Sequence, residues 1–151
     1  MSIQNLRPLI REVLEKGYLM TLATHDAGGV WACDVIYIFD DNLNLYWISD
    51  PNARHSKAIT EHPAVAGTIT VSGQGDDNLG IQFSGTARRL KGPNLRLMIR
   101  HFKKRKKVEL PKSAKDVLNF LEGDMWYELR PSHIELIYEK MFGFEKQRID
   151  L

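Results

Sequence analysis

Cysteine is nearly missing from this sequence: Cys33 stands alone in 151 residues, which excludes an intrachain disulfide framework and any cysteine-clustered zinc or iron–sulfur site. A reducing cytoplasm is the expected compartment. No apolar run approaches the roughly 20 residues that span a bilayer, so no membrane association is expected. The opening MSIQNLRPLIREVLEKG interrupts its apolar pattern with Arg7, Arg11, Glu12, Glu15 and Lys16, which is unlike a secretory leader. Net charge is also scarce, +2 from 21 Lys and Arg against 19 Asp and Glu, and by itself gives no argument for a polyanionic partner. Absent too are a P-loop, a nucleophile elbow and a pair of histidines at metal-binding spacing. His25, His55, His62, His101 and His133 are scattered and read as surface or capping residues, so no metal site is expected. There is no internal repeat and no low-complexity segment.

What remains is an ordinary globular composition, 43% hydrophobic and 26% charged, with the length of one domain spanning residues 1–151. Leu6, Leu9, Ile10, Val13 and Leu14 repeat at helical spacing, with Asn5 as a cap, Pro8 in the first turn and Gly17 as the stop. YLMTLAT then forms a strand, and VWACDVIYIF a second. The latter has Trp31, Cys33, Val35, Tyr37 and Phe39 on one face and Val30, Ala32, Asp34, Ile36 and Ile38 on the other. Both faces are largely apolar, as for a barrel wall covered on the outside as well. NLNLYWIS returns after the Asp40-Asp41-Asn42 turn, so residues 18–49 read as a three-stranded meander. A short helix follows and ends before Pro63. Ala64 to Val71 and Gly80 to Lys91 are further strands joined by a polar loop, and the C-terminal MWYELRPSHIELIY and MFGFEKQRI supply one or two more. Between them, Leu95, Met98, Ile99 and Phe102 mark a helix with a basic opposite face, and Ser113 with Asp116 caps another that Gly123 stops.

Charge is unevenly placed. Eleven basic residues and one acid, Glu109, lie between Arg88 and Lys112, so that segment carries +10 and the remainder −8. Arg96, Arg100, Lys103, Lys104 and Lys107 share one face of a helix over 93–107, which makes nucleic acid a rival partner. Interleaved aromatics for base stacking are missing and the rest of the chain is acidic, so nucleic acid is not the expected partner. Of the five cations before residue 88, Arg54 and Lys57 stand together with His55 and Ser56 where a strand gives way to a helix. Free N–H groups and the helix dipole favour an anion there. Cys33, between Ala32 and Asp34 in an apolar strand, reads as a small buried hydrophobe.

Taken in order, an N-terminal helix, LAT, a glycine turn, a long strand, YWIS, S-K opening a helix that ends in HPAV, and a strand with SGTA resemble the FMN-binding split-barrel proteins. These are the relatives of pyridoxamine 5'-phosphate oxidase, and the length and the GFEK ending are most similar to their small bacterial branch. The resemblance implies a mainly β (α+β) chain: a six-stranded Greek-key split barrel with flanking short helices. It implies a homodimer with FMN in clefts between the subunits, acting as an oxidoreductase on a small molecule. Ser56 and Lys57 match the family's phosphate-binding pair, with Arg54 close enough to assist. Trp47, Ile48 and Ser49 match the strand-three positions beside the flavin, and the backbone at Ala32, Cys33, Asp34 and Val35 would approach the ring edge. No residue is assigned a catalytic role. True oxidases of the family carry a basic residue near the end of strand two and a glutamine early in strand five, where this chain has Tyr37 or Ile38 and Gly80, so vitamin B6 oxidation is not expected. Related split barrels bind a deazaflavin or haem instead, and a dimeric interaction module without cofactor is a further alternative.

Overall fold

The computed structural model describes residues 3–151. One antiparallel sheet of eight strands carries the chain: β1 (Leu19–Asp26), β2 (Gly29–Ile36), β3 (Ile38–Phe39), β4 (Leu45–Ser49), β5 (Ala64–Thr70), β6 (Leu79–Arg89), β7 (Met125–Tyr138) and β8 (Gln147–Asp150). Five helices flank it: α1 (Ile3–Lys16), α2 (Arg54–Glu61), α3 (Leu95–Lys104), α4 (Ala114–Leu121) and α5 (Glu139–Phe142). Strand order is β2-β1-β5-β6-β7-β4-β3, with β8 added to β7. The two ends of that order, β2 and β3, are separated in the chain by Tyr37 alone, so the sheet must roll until its edges meet there. The mainly β reading therefore holds, with eight strands in place of six.

Two apolar clusters lie on opposite sides of the sheet. Inside the roll, Met20, Leu22, Val35, Leu45, Trp47, Ile69, Ile81, Tyr127 and Leu129 pack with the buried stripe of α1, Leu6, Ile10, Val13 and Leu14. Outside it, Ile38 and Trp126 meet Met98 of α3 and Val117 and Leu121 of α4. Each fully buried aliphatic side chain is worth roughly 2 kcal/mol, so the basic helix is anchored by its apolar face. Among the described residues, no helix is long and apolar enough to cross a membrane.

Several sequence-based expectations change. The meander over 18–49 forms with its middle strand broken in two, which pairs with β1 through β2 and with β4 through β3, while β4 also pairs with β7. The second strand breaks at Tyr37, whose side chain turns inward to donate to the Leu14 carbonyl at 2.7 Å. Its outer face is not covered, since Val30, Ala32 and Asp34 are exposed. α1 begins at Ile3, two residues before Asn5, which places Pro8 beyond the first turn. The basic helix spans Leu95–Lys104 rather than 93–107. Lys106 adopts a left-handed φ of 55°, and the Lys106 and Lys107 amides close back onto the Lys103 and Phe102 carbonyls, a Schellman ending that removes Lys107 from the helical face. His101 is no surface histidine, being 5% exposed.

Candidate functional site

Because β2 is an end strand, one of its edges is unpaired and its backbone N–H and C=O groups there are open to a ligand. Alternation puts Leu19, Asp34 and Ile36 on the outer face of the β1–β2 ribbon, where Thr21 and Asp34 stand opposite each other and share a hydrogen bond of 2.6 Å. Beside this ribbon, Ile48 and Ser49 end β4, and α3 and α4 bring His101, Arg105 and Phe120 across the outer face. Together with Val35, His55 and Asp124, and without Thr21, these residues line a cleft of about 420 Å³.

The polar groups of the cleft are held in defined states. His55 Nε2 and Ser49 Oγ are 2.8 Å apart, which ties the start of α2 to the end of β4. Burial keeps the His55 imidazole below its usual range. His101 is pushed down to about 4 by burial first and then by the charges of Arg105, Lys104 and Lys107, so it is neutral at physiological pH. Its Nδ1 is buried without a hydrogen-bond partner among the described residues. Burial raises the Asp124 carboxyl, and the charges of Asp50 and Glu122 add to the effect.

The sequence-predicted residues divide. Asp34, Val35, Ile48 and Ser49 line the cleft. Trp47, one residue from Ile48, points the other way into the core and stacks on Tyr127 at 5.8 Å. Ala32 is exposed further along β2, and Cys33 is half-buried against the inner core, where burial raises its thiol. Arg54, Ser56 and Lys57 open α2 beside the cleft. Arg54 is occupied, donating Nε and Nη2 to the Asp26 carboxylate at 3.0 and 3.2 Å while its guanidinium lies 4.6 Å over the Trp31 ring. Lys57 is exposed, and Ser56 is 1% exposed with its Oγ unpartnered. Ala53, the N-cap of α2, has no side chain that can cap the helix, which leaves the first N–H groups to other partners.

The family model for pyridoxamine 5'-phosphate oxidase matches residues 6–132. The chain belongs to that family. A UPF0306 protein of Enterobacter sp. (strain 638) is 30% identical over 142 residues, covering 91% of either chain. Two solved structures are similar at 14% identity and a TM-score of 0.66. One is a putative pyridoxamine 5'-phosphate oxidase from Listeria innocua, covering 87% of this chain and 98% of that one. The other is the haem storage protein HutZ of Vibrio cholerae, covering 95% and 92%. These likenesses establish the split-barrel fold of this family member.

His55, His101, Arg105, Phe120 and Asp124 joined the cleft without being singled out as site residues. His55 alone left a local trace, as a neighbour of Arg54 and Ser56. The others reach the site only because α3 and α4 pack on the outer face of β4 and β7, a long-range event with no signature in the sequence.

Proposed function

We propose that this chain binds FMN in the cleft and serves as an oxidoreductase on a small molecule. The observation that carries the reading is the start of α2: an eight-residue helix without a side-chain cap, whose third residue, Ser56, has a buried hydroxyl without a partner. A phosphate there would accept from the free N–H groups and from Ser56, with Lys57 adding charge. Leu19, Val35, Ile36, Ile48 and Phe120 supply an apolar bed for a ring system, and the free edge of β2 offers backbone donors and acceptors to its rim. Flavin, when bound, supplies hydride transfer, and the chain positions it and excludes water.

A second copy would complete the cleft. Leu19 and Val30 are exposed on the outer face of the β1–β2 ribbon, and the outward positions Ala23, Ala32 and Ala66 leave this face flat enough for close approach. Haem is the second reading. It is favoured by His101, a neutral buried imidazole with a free nitrogen on the cleft wall, and by the likeness to the haem storage protein HutZ.

Titration of the purified protein with FMN, a deazaflavin and haemin in turn, followed by visible absorbance and flavin fluorescence, separates these readings. FMN binding in the micromolar range is expected. Ser56→Ala and Lys57→Ala should each weaken FMN about tenfold, roughly the loss of one charge-assisted contact, and leave riboflavin, which lacks the phosphate, unchanged. No FMN binding at high micromolar concentration overturns the proposal, and equal losses for riboflavin misplace the phosphate.

A further inference from the structure

α3 works on two sides. His101 and Arg105 turn toward the cleft, whereas Arg100, Lys103 and Lys104 turn toward α1 and border a separate cavity of about 420 Å³. Its apolar wall comes from Leu14 of α1 and Ile38 and Phe39 of β3, and Arg11 stands on the far side. A volume of this size suits a metabolite rather than a polymer.

The charges around the cavity are not balanced from within. Asp41 is taken by Arg11 at 3.0 Å, and Glu15 is exposed on the rim, without an ion pair among the described residues. Arg100 donates to the Phe39 carbonyl at 3.1 Å. Lys104 donates Nζ to the Tyr37 carbonyl and lies 3.3 Å from the centre of the Tyr37 ring. Among the described residues, no carboxylate pairs with Arg100, Lys103 or Lys104. Carbonyls and a ring face compensate an ammonium only in part, and burial brings Lys104 down to about 7. An anion in the cavity would supply the missing counter-charge.

We propose that the cavity between α1 and α3 binds a small organic anion, its carboxylate or phosphate head held by Arg100, Lys103 and Lys104 and its apolar body resting on Leu14 and Phe39. The site owes nothing to the flavin reading, because none of these residues lines the cleft. It also gives part of the +10 segment a task that a solvated helix face would not have.

Phenyl phosphate and benzoate are suitable probes, with uncharged benzyl alcohol and inorganic phosphate as controls. Calorimetric titration of the full chain should give submillimolar binding of at least one aromatic anion. Benzyl alcohol and inorganic phosphate should bind at least tenfold more weakly. The double variant Arg100→Ala, Lys103→Ala should weaken the probe tenfold or more while unfolding at an unchanged temperature. As an independent readout, the probe should protect Lys104 from acylation by acetic anhydride, read by peptide mass spectrometry, and leave exposed lysines such as Lys57 reactive. Equal binding of benzyl alcohol, unaltered binding to the double variant, or absence of protection at Lys104 overturns the proposal. Retention on nucleic acid that the double variant abolishes, with no probe binding, overturns it in favour of the polyanion alternative.

Discussion

Glu128 is 4% exposed and accepts from Arg88 and Arg130, each at 2.9 Å on the same oxygen. Two guanidiniums compensate one desolvated carboxylate, which converts part of the basic segment into sheet glue. Lys104 is likewise engaged at Tyr37. Such assignments are invisible in a sequence, where Arg88 and Lys104 look like any other cations of their cluster. His101 is the clearest case at this scale. The unfolded chain takes up its proton near 6.5, while the folded chain refuses it until about 4, so stability is complete above pH 6.5 and falls as pH drops through that window. The loss contributed by this residue is on the order of 2–3 kcal/mol at pH 4. Thermal unfolding measured from pH 7 to pH 4 should show a shallower decline for His101→Leu than for the native chain; parallel curves would mean that the imidazole titrates normally in the fold.

At the scale of elements, features set by neighbouring residues were legible. Ser113 accepts from the Asp116 amide at 3.2 Å to start α4, Glu122 and Gly123 end it with positive φ, and α2 stops before Pro63. The long β7 was legible only in outline, because its irregularity depends on its partner. Pro131 sits opposite Gly85 at a register shift in the β6–β7 pairing. A Cβ on Gly85 would collide with the Arg130 carbonyl oxygen, so the strand tolerates no side chain there. Gly85→Ala should cost about 3 kcal/mol, a drop of several degrees in Tm. A drop of less than one degree would show that the bulge relaxes freely.

At the scale of the molecule, the exposed apolar residues of β1 and β2 argue for assembly. Isolated large hydrophobics on a surface are ordinary, but Leu19 in the cleft and Val30 at the far end share the outer face of one two-stranded ribbon, with the flat Ala23–Ala32 pair between them. Sedimentation should therefore give about twice the chain mass, and Ala66→Arg, placed on the flat outer face of β5, should shift it toward the single chain and weaken FMN together. A monomeric native chain, or a dimer indifferent to the arginine, would remove the shared cleft.

From the sequence alone follow the β-rich class, most element boundaries, the lone thiol, the uneven charge and the short stretch at Arg54–Lys57 where an anion would dock. Alternation, capping and turn chemistry act over a few residues, and a sequence displays them directly. Tertiary structure decided the rest. It broke the middle strand of the 18–49 meander at Tyr37, so that β2 stays with β1 while β3 and β4 lie at the other end of the strand order. It also laid α3 across the sheet with one basic flank toward the cleft and another toward α1. Those outcomes depend on contacts between residues dozens of positions apart, such as Ile38 with Met98 and Trp126, whose energies outweigh local preference and leave no periodic mark on the chain.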